Sequence, residues 1–97
     1  AVKTDEGGFS ENQLGVIFDD EGNQKEAMKW YLASIKKGDL WAYNNLAVDY
    51  IALGDYENAK KWLEKGLELI KKSSDYSDNL ELQKSLKENL DYIKKAK

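Results

Sequence analysis

Proline, cysteine, histidine and arginine are all absent from the 97 residues. Each absence removes a class of structure or chemistry. Without proline, nothing locks φ or deletes a backbone donor inside an element, so long uninterrupted helices are permitted. Without cysteine there is no disulfide framework and no thiolate chemistry, and the redox state of the compartment leaves no mark. Without histidine the chain lacks both the usual acid/base group at neutral pH and the commonest metal ligand. Without arginine it lacks the planar fork that reads phosphate and guanine, and all fifteen basic residues are lysine. A net charge of −3 adds repulsion from a nucleic-acid backbone. No apolar run approaches the length that crosses a bilayer. Neither nucleic-acid binding nor membrane insertion is expected, and no cofactor or metal is implied. The chain starts at Ala1 without a signal-peptide pattern. A trimmed start is left open, and with it a removed targeting segment, with a cytoplasmic setting favoured.

What is present is regular helical punctuation. Residues 1–8, AVKTDEGG, lack periodicity and read as a flexible lead-in. Ser10 with Gln13 fits a capping box, the alternative being a first helix that begins a residue or two earlier; Asn23 with Glu26 and Asp78 with Glu81 fit two more, and Asp39 and Asp55 suit N-caps. Gly22, Gly38 and Gly54 each follow an apolar-periodic segment, where a left-handed C-cap is wanted. The spacing predicts five helices at 9–21, 24–37, 40–53, 56–72 and 78–96, with SSDYSD (Ser73–Asp78) as the one longer linker.

The chain also repeats itself. A shift of 32 residues places Leu14 on Leu46, Phe18 on Tyr50, Gly22 on Gly54, Ala27 on Ala59 and Trp30 on Trp62. The next shift fails, since Leu46 would meet Asp78. The expected fold is all-α: two antiparallel helical hairpins, at 9–38 and 39–72, followed by a linker and a C-terminal capping helix at 73–97. In that last helix Leu82, Leu86 and Leu90 form one apolar stripe opposite a Lys- and Glu-rich face, as a solenoid cap requires.

LGVIF (Leu14–Phe18) followed by Ala27, Tyr31 and Ser34, and LAVDY (Leu46–Tyr50) followed by Ala59, Leu63 and Gly66, resemble two tetratricopeptide repeats. The connection between the hairpins resembles the Sel1-like branch of that superfamily. It matches at Ala27, Trp30, Tyr31, Gly38, Ala42, Asn45, Leu46 and Tyr50, with Ser34 and Ala47 as small-residue substitutes. The Sel1-like insertion within a hairpin is missing, and Ile70 stands where its glycine is expected. The resemblance covers roughly residues 8–72 and implies an α-solenoid that binds other proteins. It is specific for architecture and weak for function.

With 100° per residue, Ala27, Trp30, Tyr31, Ser34 and Ile35 share one stripe of the second helix. Ala59, Trp62, Leu63, Gly66, Leu67 and Ile70 share one on the fourth. Stripes this wide suit helices packed between two neighbours, with the tryptophans filling the space that the small residues leave. In the third helix Tyr43, Leu46, Ala47, Tyr50 and Leu53 are expected to point inward, and in the first Leu14, Gly15 and Phe18. The opposite faces align across the repeats: Phe9, Asn12, Gln13 and Val16 on the first helix, Trp41, Asn44, Asn45 and Val48 on the third.

The resemblance implies that this second face lines a concave groove, and its composition suits a peptide or partner helix. Amides can satisfy a peptide backbone, and aromatics anchor apolar side chains. A lysine carboxylate clamp is not supported, because Asn12 and Val16 occupy two of its positions and only Asn45 matches. Asp19, Asp20 and Glu21 read as a solvated helix end rather than a calcium loop. The sequence therefore reads as a non-catalytic protein–protein interaction module. The alternative is a structural adaptor or spacer in a larger solenoid or assembly, with possible self-association.

Overall fold

The computed structural model describes residues 9–72 and 80–96. The expected lead-in, the linker and the Asp78 cap lie outside the described residues. Five helices follow in order: α1 Phe9–Asp20, α2 Gln24–Lys36, α3 Trp41–Ala52, α4 Tyr56–Lys72 and α5 Leu80–Ala96.

The three described turns share one design. Gly22, Gly38 and Gly54 all have φ between 81° and 98°, which a side chain would oppose. The glycine N–H bonds back three residues, to Asp19, Ile35 and Ile51. The next residue bonds back five: Asn23 N–H to Phe18 O at 2.8 Å, Asp39 N–H to Ser34 O at 3.2 Å, Asp55 N–H to Tyr50 O at 2.9 Å. This is the Schellman closure of a helix end. The same three residues then serve the following helix with their side chains. Asn23 accepts from Glu26 N–H, Asp39 from Trp41 N–H and Asp55 from Asn58 N–H. One residue ends a helix with its backbone and starts the next with its side chain, so turns of residues 21–23, 37–40 and 53–55 suffice. Connections this short make neighbouring helices antiparallel.

Each helix packs on its sequence neighbours. Beyond that, α1 touches α3 and α3 touches α5, whereas α2 and α4 do not meet. The odd helices converge and the even ones splay apart, so the stack curves with α1, α3 and α5 on its inner side. Lys37 at the end of α2 reaches Glu11 in α1 at 2.6 Å, tying the open end of the first hairpin.

The core has two overlapping parts. Ala27, Tyr31, Ala42 and Leu46 join α2 to α3, with Val16 and Phe18 of α1 against them. Ala47, Ala59, Leu63, Ile70, Leu82, Leu86 and Ile93 join α3, α4 and α5. Tyr50 and Trp62 pack against both parts, and the Trp62 ring lies 5.8 Å from that of Tyr43. Trp62 thus fills inter-helix space as its stripe predicts. Trp30 differs: it is half-buried, belongs to neither part, and holds a buried indole N–H with no acceptor among the described residues.

Two residues expected inside are outside. Leu14 is exposed although its repeat-mate Leu46 is fully buried, because α2 covers α3 and no described element covers α1 in the same way. Leu53 is exposed because it is the C-cap of α3, at the start of the turn.

Candidate binding face

The residues expected to form the site lie on α1 and α3, and the fold gives them different surroundings. Phe9 opens α1, and its side chain lies outside the described part. Gln13 is exposed, and Val16 is half-buried against the part of the core that joins α2 to α3. Trp41 is 42% exposed and Val48 43% exposed. They stand seven residues apart, two turns and roughly 10 Å along one side of α3. Trp41 is held at the first turn by Asp39, whose Oδ1 accepts its N–H at 3.0 Å. Ser34 Oγ donates to the other oxygen of Asp39 at 3.2 Å, locking that carboxylate in place.

The amides are engaged with each other. Asn45 Nδ2 donates to Asn12 Oδ1 at 2.9 Å, bridging α3 to α1. Asn89 Nδ2 donates to Asn44 Oδ1 at 2.7 Å, bridging α5 to α3. Asn12 and Asn44 are repeat-mates at the 32-residue shift, so each hairpin presents one asparagine that accepts from the next odd helix. The expectation that Asn44 faces outward fails: it is only 8% exposed, because α5 lies over it. Sequence periodicity does not find this, since the donors Asn45 and Asn89 do not follow the 32-residue shift. Asn12 and Asn45 remain half-exposed beside Val48.

A second polar group lies deeper, where α1, α2 and α3 meet. Asp49 is 3% exposed. Gln24 Nε2 lies 3.4 Å from its carbonyl oxygen and 3.5 Å from Oδ1, while Oδ2 faces no donor. Its carboxyl comes within hydrogen-bonding reach of Asp19, and Tyr31 Oη donates to Asp19 Oδ2 at 2.8 Å. Burial pushes Asp49 up to about 7, the Asp19 carboxylate adds to the rise, and Gln24 offsets part of it. A proton on Asp49 lets its carboxyl donate to Asp19. The Tyr31 hydroxyl is likewise raised, by burial first and then by Asp19. Asp19, read from sequence as part of a solvated helix end, is therefore half-buried and bonded. The signal available was Asp49 itself, a charge one helical turn after Asn45.

Stacked helical hairpins with the first helices on the inner side define a helical-repeat protein. Tetratricopeptide repeat models match residues 12–36 and 40–78, one on each hairpin. The chain belongs to the tetratricopeptide repeat family, of which the Sel1-like repeats are close relatives. No curated protein and no solved structure matches it. Repeats of this family mark protein–protein interaction modules and are typically non-catalytic scaffolds. No helix among the described residues is long and apolar enough to cross a membrane.

Proposed function

We propose that the chain binds a peptide or partner helix of another protein along the inner face of α1 and α3. The observation that carries this reading is the pair Trp41 and Val48, two large apolar side chains left exposed on one side of α3. Burying a half-exposed tryptophan against a partner is the kind of contact that dominates interface energies. The Asn12–Asn45 pair lies alongside, and each amide keeps hydrogen-bonding capacity beyond that bond. A peptide main chain could use it. Gln13 and Val16 extend the strip along α1, and Phe9 belongs to the same sequence face. Asn44 is not part of the site, because α5 covers it.

The test is a titration. A partner isolated on the immobilised protein is measured against wild type, Trp41→Ala and Val48→Ser. Loss of about tenfold or more in affinity for Trp41→Ala, at unchanged helicity, supports this face. Unchanged affinity removes it.

A second reading rests on a different observation. Leu14 and Ile17 are exposed on α1, whereas their repeat-mates Leu46 and Asp49 are buried under α2. A structural adaptor would use that edge for assembly. Sedimentation that finds one strict monomer, for wild type and Ile17→Ser alike, excludes self-association through it.

A further inference from the structure

We propose that Asp19 and Asp49 form a proton-operated latch between the two hairpins, closed while one carboxyl carries a proton and loosened when both are ionised. The two residues sit on the first helices of different repeats, so their contact spans the junction on which the curvature depends. Asp49 is almost wholly buried, and its second carboxyl oxygen meets no donor unless it carries a proton itself. Among the described residues, the groups facing the pair supply no positive charge. From α1 come Asp19 and Asp20, and from α2 the neutral Gln24 and the Tyr31 hydroxyl. α3 has no charged residue besides Asp49, and every charged side chain of α4 is exposed. Among the described residues no lysine pairs with Asp19, Asp20 or Asp49.

Two carboxylates in contact without a cation repel, and the cheapest relief is either a shared proton or separation. Burial already holds Asp49 protonated up to about pH 7. Above that, separating α3 from α1 lets water reach both. The Asn12–Asn45 bond, one turn away along α3, spans the same two helices, so loosening the latch also works against the inner face.

The sign follows from linkage. The folded state holds a proton on Asp49 that the unfolded chain releases near 3.8. The contribution is complete below that value and is lost as pH rises to about 7. Asp49→Asn is the constitutively closed form, since its amide donates to Asp19 at every pH. Unfolding by urea is measured from pH 4 to 8.5 for wild type and Asp49→Asn. The wild-type unfolding constant, relative to the variant, should rise by up to about tenfold per pH unit across that window and level off above it.

Opening is read separately with nitroxides on Lys25→Cys and Lys61→Cys, exposed sites on α2 and α4 in a chain with no other cysteine. Opening the inner side straightens the stack, so the distance between these outer helices should shorten from pH 5 to 8.5 in wild type and stay fixed with Asp49→Asn. If Asp49→Asn does not fold, Asp19→Asn serves, and the rise should then end at lower pH. A relative unfolding constant independent of pH, or identical distances at both pH values, overturns the latch.

Discussion

Gly15 lies against the ring of Tyr31, so closely that a Cβ placed on it would fall 2.6 Å from Cδ1. This contact seats α1 on α2 and lets the Tyr31 hydroxyl reach Asp19. Gly66 on α4 is a second glycine at a helix contact, but there a Cβ would meet Tyr43 Cβ at 3.2 Å and Leu86 Cδ1 at 3.4 Å, and Leu86 can give way. Alanine gains helix propensity at both sites, about 1 kcal/mol. Gly15→Ala should nonetheless lose about 1–3 kcal/mol from ring displacement, whereas Gly66→Ala should change stability little. Urea midpoints of the two variants check the order.

Residue by residue, the sequence was legible where one physical demand dominates. The glycines of the turns, the Asn23 cap, and the small residues at 27, 34, 59 and 66 stand where expected, whereas Asp39 sits one residue before the N-cap Leu40 and reaches Trp41 N–H from there. It was least legible at polar residues on helix faces. Asn44 and Asp49 have the look of surface residues, and their burial depends on what lies opposite, Asn89 in one case and Gln24 with Asp19 in the other.

At the scale of elements, helix bounds follow the expected ones within a residue or two. Ser10 lies inside α1 rather than capping it. The register of α5 is what sequence periodicity could not supply. Its apolar stripe is plain, with Leu82, Leu86 and Ile93 all buried. Its attachment to α3, however, turns on the Asn89–Asn44 bond, and no periodic signal links residues 44 and 89. Asn89→Ala should leave the buried Asn44 carbonyl without its donor and cost about 1–3 kcal/mol. Replacing both asparagines by leucine should cost less than the sum of the two single changes, because no unmatched polar group then remains. A double-mutant cycle in urea measures the difference. Additive costs would mean that the amides do not act as a pair.

At the scale of the molecule, α5 packs on α3 and α4, and the stack curves toward its odd helices. Leu63 and Ile70 on α4 are fully buried in the core part that Leu82, Leu86 and Ile93 of α5 complete. A chain ending at residue 72 would expose them, and it should unfold less cooperatively and self-associate, as light scattering and thermal melting would report. Leu86→Ala should weaken the same contact by about 2–5 kcal/mol while leaving the α1–α2 pair helical by hydrogen exchange.

The central claim concerns the inner face: that Trp41 and Val48 are exposed because they meet a partner. The most direct measurement is calorimetric titration of the captured partner with Trp41→Ala, beside Leu80→Ser as a control at an exposed leucine on α5. A loss of about tenfold or more for Trp41→Ala, about 1.4 kcal/mol, with wild-type affinity for Leu80→Ser, is the predicted result. Wild-type affinity in a folded Trp41→Ala protein would contradict it.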